Sequence, residues 1–261
     1  MRALDLHSLA DVAHAVADAA RAPALRYFRK PVTVDSKGAA FDPVTIADRE
    51  TEAAMRAVLA ERRPEDGILG EEEAAVDSRS GLTWVLDPID GTRGYISGTP
   101  TWGVLVALRD ASGPLIGIVD QPFTGERFTG SPDGATWTRG GETRRLTTRD
   151  VTRLDDATLF TTFPEVGTAD EGAAFRRVAA RCRLTRYGLD CYAYALLAAG
   201  QVDLVIEAGL QAYDIAAPAA LITAAGGVVT NWRGGPAHDG GTVLAAATPE
   251  LHADALALLN G

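Results

Sequence analysis

Residues 84–92 read Trp84-Val85-Leu86-Asp87-Pro88-Ile89-Asp90-Gly91-Thr92. With Leu82 ahead of it, the run Trp84 to Leu86 predicts a short buried strand. Pro88 lacks a backbone donor and has a fixed φ, so the strand must stop or bend there. Asp90 follows Asp87 by three residues, and Gly91-Thr92 permits a sharp turn. Two carboxylates at the end of a buried strand are costly unless a positive charge neutralises them. A hard divalent cation, which takes oxygen ligands, meets that need. An Asp-Pro turn followed by an Asp that caps the next helix would use the same residues, so the rest of the chain has to decide.

Upstream, Ile68-Leu69-Gly70-Glu71-Glu72-Glu73 is a short apolar run that closes on Gly and three acids. Consecutive carboxylates usually form a solvated loop; the buried run before them makes Glu71 the one to point inward. Asp42-Pro43-Val44-Thr45-Ile46-Ala47-Asp48 leads into a helix that runs to about Arg62. Taken alone, Asp48 is a first-turn acid stabilised by the helix dipole. Residues 5–29 carry Leu6, Leu9, Val12, Ala13, Val16 and Ala20 at helical spacing, and Pro31 should end that helix. His7 and His14 lie on it about two turns apart, too far to share a metal. Val32-Thr33-Val34 alternates as a strand does, and Asp35-Ser36-Lys37-Gly38 reads as a turn. Lys30 and Lys37 are the only lysines.

Downstream, Val104 to Leu108, Leu115 to Val119 and Glu126 to Thr129 read as strands, the first two joined through Asp110-Ala111-Ser112-Gly113. Residues 136–145 predict a further hairpin. The first half is thus two helices on an antiparallel sheet. Beyond about residue 150 strands alternate with helices, which implies a parallel or mixed sheet between helices. Strands are expected at 158–162, 184–187, 202–206, 228–232 and 242–246. Helices are expected at 170–181 with Asp170 as N-cap, at 190–199, at 213–225 and at 249–259. Pro218 should sit near the first turn of its helix or kink it, and Gly226-Gly227 should end that helix. Two units follow, 1–150 with most of the candidate ligands and 151–261 with the remainder.

Composition narrows the function. With 46% hydrophobic and 23% charged residues the chain is an ordinary globular one. A net charge of −10 argues against a binder of nucleic-acid backbones. It leaves room for a small anionic substrate, because bound metal reverses the local sign. Cys182 and Cys191 stand in no metal knuckle or redox pair and read as buried free thiols of a reducing compartment. No basic-then-apolar leader and no run long enough for a bilayer is seen, so a cytoplasmic enzyme without a membrane partner is expected.

Glu71, Asp87, Asp90 and Asp214 share one feature: each follows a strand-like run or opens a helix. Such ends can converge on one crevice. Four carboxylates with water and a backbone carbonyl suit two or three Mg²⁺ ions, and without His or Cys among them zinc is disfavoured. Clusters of this kind clamp phosphoryl oxygens and activate water for in-line attack, and Gly91-Thr92 offers backbone N–H groups to a phosphate. A structural Ca²⁺ site is the alternative, but single loops normally supply those.

The chain resembles the inositol monophosphatase family. Gly70-Glu71-Glu72, Trp84 through Thr92, and Tyr213-Asp214-Ile215-Ala216-Ala217 match its G-E-E, W-x-x-D-P-[IL]-D-G-T and W-D-x-A-A motifs, with Tyr213 replacing the usual Trp. The resemblance spans nearly the whole chain, including Asp42 to Asp48 and Ala225-Gly226-Gly227. Within the family it is most similar to the bacterial histidinol-phosphate phosphatases, through Asp90 to Gly98, Asp120-Gln121-Pro122, Arg186 to Tyr194 and Leu204 to Leu210. Inositol phosphatases usually carry G-[ST]-A near 188–190; here the acid Asp190 stands there, and Leu189 replaces the second Gly of the subfamily's G-G-D.

That resemblance implies a layered α-β-α-β-α sandwich, antiparallel in its first sheet and mixed in its second, with the site between the halves. It implies that Glu71, Asp87, the carbonyl of Ile89, Asp90 and Asp214 hold Mg²⁺, with Asp87 bridging two ions. It assigns phosphate to Gly91 and Thr92, and the orientation of water to Asp48, Glu71 and Thr92. Arg186, Asp190, Glu207 and Asp214 would bind substrate. A homodimer that hydrolyses histidinol phosphate directly, without a phosphoenzyme, is the expectation. Another phosphomonoesterase of the family, or a non-catalytic metal-binding protein on the same fold, is the rival.

Overall fold

Helix α1 (Leu6–Tyr27) buries Leu9, Val12, Ala13, Val16, Ala17 and Ala20 on one stripe, the arrangement that spacing of three and four residues dictates. The structure is a computed structural model that describes residues 5–36 and 43–261. The helix ends at Tyr27, before Pro31, where Phe28 turns extended with ψ 130° and Arg29 left-handed with φ 58°. Pro23 lies inside it. Strand β1 (Val34–Ser36) begins two residues later than the alternation of 32–34 suggests and pairs antiparallel with β2 (Pro43–Thr45). Lys37, Gly38 and Asp42 lie outside the described residues. Helix α2 (Ile46–Arg62) follows at once, with Thr45 as its cap.

The first sheet runs in chain order: β3 (Gly67–Gly70), β4 (Thr83–Asp90), then, after the short helix α3 (Thr92–Ser97), β5 (Gly103–Asp110), β6 (Gly113–Gln121), β7 (Glu126–Ser131), β8 (Gly134–Arg139) and β9 (Glu142–Leu146). Neighbours are antiparallel, as expected, except β3 and β4, which are parallel. Side-chain alternation splits β4 between two cores. Trp84 and Leu86 pack under α1 and α2 with Val104, Val106, Ile116 and Ile118. Val85 faces the other way, with Leu105, Ala107, Val119 and Phe128.

The second sheet is mixed, ordered β11-β10-β12-β14-β13. After a 3₁₀ turn (Leu154–Asp156) come β10 (Thr158–Thr161), α4 (Ala169–Ala179), β11 (Leu184–Tyr187), α5 (Cys191–Ala198), β12 (Leu204–Gln211), α6 (Ala212–Ala224), β13 (Val228–Thr230), β14 (Gly240–Ala246) and α7 (Pro249–Leu259). Helices α5 and α6 fill the layer between the sheets, and α4 and α7 cover the outer face of the second. The result is the five-layer α-β-α-β-α order.

Two local details differ from the sequence reading. Thr168, not Asp170, caps α4, because Glu171 three residues on completes a capping box with it. Pro218 is in the interior of α6 rather than its first turn. One lost helical bond costs about 3 kcal/mol. Burial of Ile215, Leu221 and Ile222 on that helix outweighs it, at about 1.5–3 kcal/mol each. Glycines bring α6 onto the first sheet: a Cβ at Gly117 would collide with the Ala217 carbonyl, and one at Gly130 with the Leu221 backbone. No helix among the described residues is long and apolar enough to cross a membrane.

Candidate active site

The ends of β4, α3, β12 and α6 meet at a cavity of about 340 Å³, lined by Glu71, Asp87, Ile89, Asp90, Gly91, Thr92, Asp190, Glu207 and Asp214 among others. Nine of the eleven residues singled out from sequence therefore lie together; Asp48 and Arg186 are not in the lining. Asp48 sits directly behind Thr92. Arg186 is exposed on β11, the edge strand of the second sheet, outside the cavity lining of this chain.

Pro88 bends the chain where expected. Strand β3 stops at Gly70, opposite Leu86, so the missing N–H of Pro88 interrupts no bond on that side. The pairing with β5 shifts register between Asp87 and Asp90, a bulge that brings the two acids to the same end of the strand. Asp214 arrives from the other half as the third residue of α6. Carboxylate oxygens of Asp87, Asp90 and Asp214 lie within 4.8 Å of one another. One oxygen of each is held by a backbone N–H. Ile89 N donates to Asp87 Oδ1 at 3.0 Å, Cys191 N to Asp90 Oδ2 at 2.6 Å, and Gln211 N to Asp214 Oδ2 at 2.6 Å.

This crowding has an electrostatic cost. Burial, then the Glu71, Asp90 and Asp214 carboxylates, push the Asp87 carboxyl well above its ordinary range. Burial, then Asp190 and Asp214, do the same to Asp90. Converging oxygen donors that repel one another are the chemistry a hard divalent cation relieves, so the residues fit such an ion. Sequence reading placed no cysteine here, yet Cys191 lines the cavity. Burial, then Asp90, raise its thiol well above the ordinary value. The three acids that converge offer oxygen donors alone. Both cysteines are free, Cys182 being only half-buried.

Asp48 combines two readings left open by the sequence. Its Oδ2 accepts from the backbone N and the hydroxyl of Thr45, both at 2.7 Å, which closes the cap of α2. Its Oδ1 lies 3.4 Å from the Thr92 hydroxyl, which also reaches the Ile89 carbonyl at 3.1 Å.

The far end of the cavity is built differently. Glu207 Oε1 accepts from the N–H of Thr162 at 2.7 Å and its hydroxyl at 2.9 Å, and Oε2 from the Thr161 hydroxyl at 3.2 Å. Burial still pushes Glu207 up to about 7, against these bonds. Asp190 occupies the position before α5, but its side chain makes no capping bond; Asp90 caps that helix from the other half. Leu189 and Asp190 both have positive φ, 85° and 47°, strain that concentrates at functional sites. The Asp190 carboxylate packs on Gly91, where a Cβ would stand 2.8 Å from it. Burial raises it to about 6, and Arg93 pulls the other way. Arg93 in turn lies over the ring of Phe163, 5.3 Å from its centroid, at the cavity rim. Phe163 carried no sequence signal, since a lone exposed aromatic after a strand is common; only the fold sets it opposite Arg93.

A model of the inositol monophosphatase family matches residues 5–260. The bifunctional phosphatase IMPL2, chloroplastic, of Arabidopsis thaliana is 40% identical over 232 residues, which is 88% of this chain and 66% of that protein. The chain thus spans just under two thirds of that relative's length. A histidinol-phosphatase of Streptomyces coelicolor is 35% identical over 95% of this chain and 96% of its own. An inositol-1-monophosphatase of Mesorhizobium japonicum is 34% identical over 78% of each. The solved structure of an inositol monophosphatase from Zymomonas mobilis superposes with a TM-score of 0.87 at 39% identity, covering 99% of this chain and 100% of that one.

Proposed function

The chain belongs to the inositol monophosphatase family, and from that premise we propose that it is a Mg²⁺-dependent phosphomonoesterase whose substrate is histidinol phosphate. The observation that carries the hydrolytic reading is the set of three carboxylates within 4.8 Å, two of them pushed up by burial and then by neighbouring carboxylates. Asp87, Asp90, Asp214, Glu71 and the Ile89 carbonyl would hold the ions. When bound, these supply Lewis-acid stabilisation of the phosphoryl oxygens and a water acidic enough to attack at neutral pH.

The chain's own groups do the rest. Gly91 and Thr92 offer backbone N–H donors to the phosphate. The single proton of the Thr92 hydroxyl serves either the Ile89 carbonyl or Asp48. When it points to Asp48, the Thr92 oxygen is left to accept a proton from water, and the Ile89 carbonyl would be free to hold an ion. Asp48 holds its place throughout, because its other oxygen is fixed by Thr45.

The choice of substrate rests on Asp190. Histidinol phosphate carries a cationic amine and an imidazole that is partly protonated near pH 7. A carboxylate that spends nothing on capping, in the same cavity as the acid cluster, suits such a cation. Inositol phosphate is the second reading, favoured by the relatives named for it. Phosphate release from both compounds, from an aryl phosphate and from a phosphonucleotide, with and without Mg²⁺, separates the readings. Turnover of inositol phosphate at a higher kcat/KM than histidinol phosphate would reverse the order, and no Mg²⁺-dependent release from any would sink the enzyme.

A further inference from the structure

Helix α2 carries Asp48, Glu52 and Arg56 one turn apart, on one face. Asp48 turns to Thr92. Glu52 is fully buried and takes no part in the cavity lining. Its carboxylate instead accepts the backbone N–H of Glu72 at 2.7 Å and of Glu73 at 3.1 Å. Arg56 closes the arrangement, donating from Nε to Glu52 Oε1 at 2.7 Å and from Nη2 to the Glu73 carbonyl at 3.0 Å. On the near side, a Cβ at Gly70 would collide with Glu52 Oε1, so the glycine lets the carboxylate approach as it does. The turn that carries Glu71 is therefore gripped before and after that residue. Desolvating a charge pair is expensive, and an apolar contact could have joined α2 to β3 without that cost. What the pair adds is a fixed backbone, two N–H groups and one carbonyl held at set positions.

We propose that Glu52 is a positioning residue: it holds the 70–73 turn so that the Glu71 carboxylate meets Asp87, and thereby sets the affinity of the divalent-cation subsite that Glu71 serves. The proposal rests on the metal-dependent reading given above. A Glu52 that merely braced α2 would lower stability without regard to Glu71. A positioning Glu52 acts only while the Glu71 side chain is there to be placed.

The test is a titration with Mn²⁺ alone, followed by electron paramagnetic resonance, on the full chain and its Glu52→Gln, Glu71→Gln and doubly substituted forms. Gln at 52 keeps the volume but sets an NH₂ against one of the two amides and unpairs Arg56. Glu52→Gln should weaken, by about tenfold, the same ion that Glu71→Gln weakens, in the range for loss of a group behind a ligand. It should add less than about twofold in the double variant. Amide exchange at Glu72 and Glu73 should quicken. Asp66→Asn breaks another mostly buried ion pair, to Arg63 just after α2; it should lower the melting temperature and leave Mn²⁺ binding unchanged. If Glu52→Gln does not fold, Arg56→Gln loosens the same turn and is read the same way. Additive effects, or a lower melting temperature with unchanged Mn²⁺ binding, would overturn the role of Glu52 alone. A native chain that binds no Mn²⁺ would overturn the metal reading, and this proposal with it.

Discussion

The two ends of the cavity hold acids for opposite reasons. At one end Asp87, Asp90 and Asp214 crowd together, and each is steadied by a backbone N–H. At the other, Glu207 is satisfied by two threonines and Asp190 faces Arg93. The crowded end stands on regular elements, a strand and a helix start. The far end depends on a strained turn, Leu189-Asp190. Mutual repulsion is thus built onto regular elements, while the proposed substrate-selecting carboxylate sits on a turn with left-handed backbone.

Neutralising the crowded end should have the largest effect. Asp87→Asn should lower kcat for Mg²⁺-dependent phosphate release by about 10³-fold or more. The same variant in chelator should melt above the native chain, because one repelling charge is gone. Full activity, or a lower melting temperature in chelator, would break the contrast at its stronger side.

At the far end the loss should be selective. A charge-assisted contact is worth roughly 1.5–3 kcal/mol, or about 10- to 150-fold. Asp190→Asn should cut kcat/KM for histidinol phosphate by about that factor and change an uncharged aryl ester far less. Equal losses on both would make Asp190 part of the common machinery.

Acidity probes both ends at once. Asp87 and Asp90 are pushed up, Asp190 to about 6 and Glu207 to about 7, against unfolded values of 3.8 and 4.5. The folded chain therefore binds more protons than the unfolded one, and stability falls as pH rises through these values. In chelator the protein should melt higher at pH 5.5 than at pH 8, by about 3 °C or more. Glu207 contributes between about pH 7 and its unfolded 4.5. Saturating Mg²⁺ should shrink the difference by replacing protons at the crowded end. A melting temperature that rises with pH in chelator would contradict the electrostatics of both.

The smallest expected effect tests the strain itself. Leu189 has φ 85° and packs on the central core. Left-handed backbone costs a residue with a Cβ about 1–2 kcal/mol. Leu189→Gly relieves that but loses packing, so the two nearly cancel. Leu189→Ala loses packing and keeps the strain. In chemical denaturation the Gly form should exceed the Ala form by about 1 kcal/mol; equality would mean the turn stores nothing.

Legibility in the sequence follows the same divide. The acids of the crowded end sit where apolar runs stop, so Glu71, Asp87, Asp90 and Asp214 could be picked out from local pattern. The helix over 46–62, the strand over 184–187 and the last helix were readable because period and caps agree there. The first helix was readable too, ending ahead of Pro31 as expected, though the break at Phe28 itself leaves no local mark. Asp190 could be named, but whether it caps α5 depended on a bond from Asp90, 100 residues away in the chain. Glu52 was not singled out from the sequence, because its burial under the 70–73 turn exists only once α2 lies on the sheet. Arg186 looked like its neighbours in motif and proved to stand on an open edge.

The bond from Cys191 N to Asp90 also bears on how such a chain can diversify. It hangs the start of α5, in one half, from a candidate ligand in the other. A second half transplanted whole from a relative would bring its own helix start and reset the carboxylate it hangs from, so chemistry and selectivity would be disturbed together. Exchange of residues 188–190 alone leaves that suspension intact. Natural or engineered changes of substrate are therefore better accommodated in three residues of one turn than by shuffling halves, and libraries confined to that turn should retain turnover more often than chimaeras joined near residue 150.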